Sequence, residues 1–332
     1  MRFVTFRHEG APRAGILDGD TIRALAPGVG ILDLLGDDGA RLRAAGEAAL
    51  RSSELVVDLT DADLMAPVPH PVTIRDYMTF EQHVAGVAEL AAPGTGIAPQ
   101  WYEAPAFYFS NPNSVLGPTD DVPIPPGSSL FDFELEVAAV LGRAGRDLTP
   151  DDAERCIAGY MLMNDWSARD IQFAEMNVRL GPAKGKDSAV TLGPWLVTPD
   201  ELEGVRLAGS FDVPLRVRVN GELVGEDTLG SMAFSFGQMI AYASRGTQVR
   251  AGDVFGSGTC GGGCLAELWG RQGLDARRAL VAGDVVTMEA DGLGRQVSRV
   301  VAGPTGVDRS LFRARGGSHT AIGSGAGSRE TK

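Results

Sequence analysis

The stretch that most limits how this chain can fold runs from Phe131 to Gln172. It opens Phe131-Asp132-Phe133-Glu134-Leu135-Glu136-Val137 and, after a capped helical segment, reaches Asn164-Asp165-Trp166-Ser167-Ala168-Arg169-Asp170-Ile171-Gln172. Successive strand residues face opposite ways, so Glu134 and Glu136 share one face while Phe133, Leu135 and Val137 share the other. Two readings stand at this point: a solvated outer face, which is the commoner fate of such a pair, or a site. The glutamate face continues with Ala138 and Val140, which points into an interior rather than along a surface. Two carboxylates about 4 Å apart repel by roughly 4 kcal/mol at an effective dielectric near 20, so a partly buried pair must take up protons or a cation. Oxygen donors alone favour magnesium, calcium or manganese over zinc.

A chain of 332 residues, 44% of them hydrophobic, supports one large domain with an appendage or two domains. No apolar run approaches the roughly 20 residues of a membrane span, and Met1-Arg2-Phe3-Val4-Thr5-Phe6 turns polar too soon for a signal peptide. Three cysteines, Cys156, Cys260 and Cys264, are an odd number without a zinc-ligand framework, which fits a reducing compartment and predicts a cytoplasmic protein. A net charge of −13, a pI near 4.8 and the lack of any basic stripe argue against nucleic acid and for a small-molecule partner.

Taken in order, residues 1–66 read as a small α+β module, with strands at Met1–Phe6 and Ala14–Leu17 and a helix at Ala40–Arg51. Pro67, Pro69 and Pro71 mark a stiff boundary before the main body, 67–312. The tail, 313–332, has the Gly, Ser, Ala and Arg composition of a disordered segment, which leaves its His319 without a role. Asp76 and His83 lie seven apart, a spacing that places them on one face if the stretch is helical. His83 is either a structural histidine or a general base, and with four histidines in the chain there are few other candidates. Trp101 to Val115 is aromatic and irregular, with Tyr102, Phe107, Tyr108 and Phe109 as pocket lining or core.

Thr149-Pro150-Asp151-Asp152 predicts a capped helix over Pro150–Ala158, ended by Gly159. Tyr160–Met163 then reads as a short buried strand that delivers Asn164 and Asp165 at its end, where scaffolds present functional groups. Ser167 is positioned to cap a turn that projects Arg169 and Gln172. The loop Leu180–Lys186 lacks the spacing of a phosphate loop. Further on come a strand at Leu215–Val219 turning at Asn220-Gly221, a helix at Ser235–Ser244 and a hairpin over Val285–Val300 about Asp291-Gly292-Leu293-Gly294. Between them, the glycine-rich run from Gly256 to Cys264, leading to Glu267, implies either a close backbone approach or flexibility.

Glu134-Leu135-Glu136, Asn164-Asp165 with Arg169 and Gln172, Gly185-Lys186 and Ser257-Gly258-Thr259, in this order, resemble the fumarylacetoacetate hydrolase family over about residues 65–305. The resemblance implies an α+β protein whose catalytic fold is a mixed β-roll or β-sandwich behind the N-terminal module, assembled as a homodimer. It implies metal ligation by Asp76, Glu134, Glu136 and Asp165, with a divalent cation, magnesium first and manganese or calcium as alternatives. It makes His83 the base, oriented by Glu267, gives Arg169, Gln172 and Lys186 oxyanion stabilisation, and lets Tyr108 and Thr259 touch substrate. Where fumarylacetoacetase has tyrosines near its substrate, this chain has Met78 and Met176, so a different substrate is expected. The activity implied is hydrolytic carbon–carbon cleavage of a 1,3-dicarbonyl, acylpyruvate-like dioxo acid, with the metal stabilising the enolate leaving group. Decarboxylation, hydration or isomerisation of a 2-oxo acid is the alternative within the family, and a non-catalytic metal-stabilised binding protein is the alternative outside it.

Overall fold

In the computed structural model, which describes residues 1–305 and Phe312, the strand Leu135–Leu141 is buried at every position. Leu135, Val137, Ala139 and Leu141 join one core with Leu215, Val217 and Met288. Ala138 and Val140, on the other face, join a second core with Phe3, Ile16 and Leu42. The face that carries Glu136 therefore runs beneath the N-terminal segment, and the solvated reading of the glutamate pair falls; Glu134, expected on the same strand, is buried just before it, where its amide donates to Asn164 Oδ1 instead of to a strand partner.

This strand sits in the middle of a mixed sheet. Ile157–Asp165 pairs antiparallel on one side of it and Val254–Gly256 on the other. Ile74–Tyr77 runs parallel to Val254–Gly256, and Phe107–Ser110 follows antiparallel. The register sets Leu135 opposite Asn164, Gly256 opposite Asp76 and Asp76 opposite Tyr108. In the other direction the sheet passes through Leu196–Val197 to Arg2–His8, Ala11–Asp18, Thr21–Ala24 and Val56–Asp58. The N-terminal segment and the main body thus share a sheet and a core. A second sheet, ordered Glu222–Thr228, Pro214–Val219, Val285–Ala290, Gly294–Val301, Val122–Pro123, covers the other face. The result is the layered, mixed α+β architecture expected. No helix among the described residues is long and apolar enough to cross a membrane. The tail 313–332, with its expected disorder, lies outside the described residues.

Several local expectations change. Asp76 and His83 do not share a helix: Asp76 is on the buried strand Ile74–Tyr77 and His83 on the helix Glu81–Ala91. The helix after Thr149 stops at Glu154, and Gly159 lies within the strand Ile157–Asp165. Burial decides this, because a Cβ at Gly159 would stand 2.6 Å from the Val197 carbonyl oxygen of the neighbouring strand. Ser167 caps nothing; it pairs in a short ladder with Asp132, and the helix Arg169–Met176 has no side-chain cap. Within the aromatic stretch, Phe107–Ser110 is regular strand rather than irregular chain. The Asn220-Gly221 turn, the second hairpin and the helix Phe236–Ala243, with its Ser235–Gln238 capping box, form as expected.

Two helices distant in sequence, Glu81–Ala91 and Leu265–Gln272, meet through glycines. A Cβ on Gly270 would stand 1.9 Å from the Gly86 carbonyl oxygen, and one on Gly86 would stand 2.4 Å from Glu267 Cγ. Backbone contact at this crossing is what brings His83 alongside Glu267. Gly270→Ala should therefore destabilise the protein by about 1–3 kcal/mol or more through overpacking. Gly204→Ala, where an added Cβ meets nothing within 4 Å, should change stability by no more than about 0.5 kcal/mol. Denaturant midpoints of the two variants check this, and equal midpoints would show that the crossing is not what holds the two helices.

Candidate active site

One sheet brings the acids together: Glu136 is on Leu135–Leu141 with Glu134 just before it, and Asp76 is on Ile74–Tyr77, with Val254–Gly256 between the two strands. Oxygens of Asp76, Glu134 and Glu136 lie within 4.8 Å of one another, all on buried side chains. The gap between two of them is kept by Gly256, where a Cβ would stand 2.5 Å from Asp76 Oδ1 and 2.9 Å from Glu136 Oε2. Asp165, at the end of its strand, joins through two bridges. The Tyr108 hydroxyl contacts Asp76 Oδ2 at 2.7 Å and also Asp165 Oδ2, while Lys186 Nζ donates to Asp165 Oδ2 at 2.7 Å and to Glu134 Oε2. Lys186 is itself buried, on a short helical turn at Lys184–Lys186. Lys186 thus offsets part of the negative charge that the four acids taken alone would carry.

Charge in this cluster is divided unevenly. Burial raises Asp76, takes Asp165 up to about 8 despite Lys186, and holds Glu136 well above the usual carboxylate range with help from Asp76 and Glu134. Burial pushes Glu134 the same way, but Lys186 and Arg169 outweigh it and hold this carboxyl down to about 2. Among the described residues, Glu136 Oε1 and Asp165 Oδ1 are buried oxygens without a hydrogen-bond partner. Orphaned carboxylate oxygens in a proton-holding cluster fit a hard divalent cation, which would replace the protons.

Behind His83 stands a second group. Its Nδ1 is 3.8 Å from Glu267 Oε2 and 3.6 Å from Cys264 Sγ. Glu267 is held by the Gly262 amide at 2.6 Å, Gln82 Nε2 at 3.1 Å and Arg271 at 3.0 Å. Burial lowers the His83 pKa to about 4, so the imidazole is neutral near pH 7, and burial raises Glu267. All three guanidinium nitrogens of Arg169 are engaged: Nε to Asp132 at 2.9 Å, Nη2 to Glu134 at 2.7 Å, Nη1 to Gln172 Oε1 at 3.1 Å. Asp132, fully buried, also accepts the Leu265 and Ala266 amides at 2.9 and 3.0 Å. It thereby ties Arg169 to the start of the helix that carries Glu267.

These groups floor a cavity of about 240 Å³. Asp76, Met78, His83, Tyr108, Glu134, Arg169, Gln172, Met176, Lys186 and Thr259 line it, while Glu136, Asp165 and Glu267 stand behind the lining. Thr259 is buried, whereas Met78 and Met176 are 42% and 44% exposed. Sequence reasoning assigns no role to Asp132 or Cys264. Asp132 is within its reach, since Asp132, Glu134 and Glu136 alternate along one stretch. Cys264 carries no local signal, because its position beside His83 is a contact between residues 181 apart.

Comparison with known proteins bears on the same segments. Residues 73–301 match the family described as Fumarylacetoacetate (FAA) hydrolase C-terminal, and residues 1–67 match Rv2993c-like, N-terminal. A fumarylacetoacetase of Oryza sativa subsp. japonica is 30% identical over 312 residues, covering 75% of this chain and 72% of that protein. The mitochondrial oxaloacetate tautomerase fahd2 of Xenopus laevis is 31% identical over 265 residues, covering 77% of this chain and 73% of its own. The fold is shared with a crystal structure of maleylpyruvate hydrolase from Sphingobium sp. SYK-6 in complex with manganese(II) ion and pyruvate. That match has a TM-score of 0.68 at 23% identity and covers 92% of this chain and all of the other. A match over residues 73–301, which include all four acids and the helices that carry His83, Arg169 and Glu267, makes this chain an enzyme of the fumarylacetoacetate hydrolase family.

Proposed function

We propose that the protein is a divalent-cation-dependent hydrolase that cleaves a carbon–carbon bond of a 1,3-dicarbonyl, acylpyruvate-like dioxo acid. The observation that carries this reading is a buried, neutral imidazole facing the acid-floored cavity with a carboxylate fixed behind it. Asp76, Glu134, Glu136 and Asp165 are the residues that would hold the cation, magnesium or manganese by their all-oxygen donors. When bound, it supplies a template for the dicarbonyl and Lewis acidity. The crystallised maleylpyruvate hydrolase of the same fold holds manganese and pyruvate, in keeping with this reading.

His83 takes a proton from water, and the water oxygen attacks one carbonyl carbon; collapse of the resulting oxyanion breaks the bond to the carbon between the two carbonyls, which leaves as an enolate and takes the proton back from the imidazolium. Glu267, pinned by Gly262, Gln82 and Arg271, steadies the imidazolium that results. Donors from three side chains remain for the developing oxyanion. Lys186 has three N–H groups and gives two to carboxylates, and Gln172 accepts from Arg169 through Oε1, which leaves its amide nitrogen to donate. Arg169 positions Glu134 and Gln172 through its bonds to them and keeps one Nη1 N–H as a further donor on the cavity wall. The tautomerase relative favours a second reading, in which His83 moves a proton on carbon and no water is consumed. Product analysis separates them: two acids per turnover for hydrolysis, carbon dioxide for decarboxylation, an unsplit isomer for tautomerisation.

Three outcomes are expected. Chelator should lower the melting temperature, magnesium or manganese should restore it, and Glu136→Gln should weaken metal binding at least tenfold by calorimetry; an unchanged isotherm would sink the carboxylate site. His83→Ala should keep metal affinity while turnover falls about 10²–10⁴-fold, the usual worth of a general base; full turnover would remove His83 from the reaction. The third concerns pH in metal-free protein. His83 titrates near 4 when folded and near 6.5 when unfolded, so its contribution to stability is intact above 6.5 and lost as pH falls toward 4, by at most about 3 kcal/mol. Against His83→Gln, the wild type should lose its relative stability over that window in denaturant titrations; parallel curves would contradict the buried neutral imidazole.

A further inference from the structure

The cavity has a direction, and both helices that wall it set the same one. On the helix Glu81–Ala91, His83, Val87 and Ala91 fall at successive steps of four and all line the cavity. On the helix Arg169–Met176, Arg169 and Gln172 come first, then Phe173 and Met176. At 1.5 Å per residue, Ala91 lies about 12 Å along its axis from His83, and Met176 lies about 10 Å from Arg169. Polar groups therefore stop within about one turn of the acid cluster, and the outer wall is apolar, with Phe107 from the edge strand and Met78 completing it. Among the described residues lining the cavity, the cations are Arg169 and Lys186. Both lie at the inner end and are already ion-paired, Arg169 to Asp132 and Glu134, Lys186 to Glu134 and Asp165. Nothing in the outer wall offers a positive partner to a second carboxylate.

We infer that the substrate is a dioxo acid whose acyl end is an uncharged, apolar chain or ring, with Met78 and Met176 as specificity-determining residues at the mouth. This rests on the hydrolytic reading for the inner end of the substrate; the outer end is argued from the wall alone. A carboxylate there would lose its water without gaining a partner, which disfavours a dicarboxylic substrate. A methylene placed there leaves water for apolar contact, worth about fourfold in binding per group. Met78 and Met176, 42% and 44% exposed, are large flexible side chains that an apolar chain would cover, and methionine adapts to chains of varied shape.

The test uses manganese-loaded, full-length protein and straight-chain 2,4-dioxo acids of increasing length, each compared with the diacid of matching length. In the wild type, kcat/KM should rise about fourfold per methylene until the cavity fills, and each monoacid should exceed its diacid at least tenfold. Met176→Arg should narrow that ratio at least tenfold by favouring the diacid. Equal or better cleavage of the diacid by the wild type would overturn the inference and leave the hydrolytic reading standing. If neither acid is cleaved, hydrolysis is the reading that fails, and calorimetric affinities of the uncleaved acids decide the inference. A tenfold preference for the monoacid upholds it, and equal or reversed affinities overturn it.

Discussion

Four carboxylates buried within one small volume are the constraint on which the rest of this structure depends. Water is excluded from Asp76, Glu136 and Asp165 almost entirely, so their mutual repulsion is not screened as it is at a surface. The protein answers locally. Lys186 lies across two of the acids, Arg169 neutralises Glu134 from the other side, and Tyr108 donates between strands. What is left unbalanced is Glu136 and Asp165, each of which keeps an oxygen without a partner among the described residues. A site built this way favours a divalent cation because the alternative is to hold protons on groups that ordinarily lose them.

The same constraint explains how rigid the surroundings are. Asp76, Glu136 and Asp165 come from three strands of one sheet and Glu134 from the residue before the strand of Glu136, and the register between those strands sets the distances. Gly256 keeps open the space between Asp76 and Glu136, since any side chain there would enter it. On the far side of Asp76, the strand turns Arg75 into a buried pair with Asp253, 3.1 Å away, among the rings of Phe109 and Phe255. That pairing anchors the strand from behind. His83 and Glu267 depend on a different contact, the glycine crossing of two helices, so the acid cluster and the imidazole are held by separate parts of the core.

Much of the acidic strand is legible in the amino-acid order alone, and the reason is local. Alternation along Phe133–Val140 reports which side chains share a face, and apolar residues on both faces report burial. Asn220-Gly221 and the Ser235–Gln238 box are equally local, being settled by backbone preference within four residues. Expectation and structure part where local preference meets tertiary packing. Capping signals mark helix starts far better than ends, so they carry a helix on to Ala158, where the neighbouring strand at Val197 imposes an extended chain instead. Spacing alone puts Asp76 and His83 on one face, although the Ile74–Tyr77 segment is drawn into the sheet by pairing with residues some 180 positions later.

The amino-acid sequence by itself determined that a strand with apolar residues on both faces carries Glu136 beside Glu134, that Asn164-Asp165 follows at the end of a later strand, and that glycine accumulates between Gly256 and Cys264. It determined these because each depends on periodicity or conformational preference over a few residues. Only the tertiary structure decided that Lys186 lies between Glu134 and Asp165, that Asp132 ties Arg169 to the Leu265–Gln272 helix, that Cys264 and Glu267 stand behind His83, and that the outer cavity wall is apolar. These are contacts across tens to nearly two hundred residues. Side-chain periodicity carries no information about such pairs, because their energy appears only after strand register and helix crossing have brought the groups together.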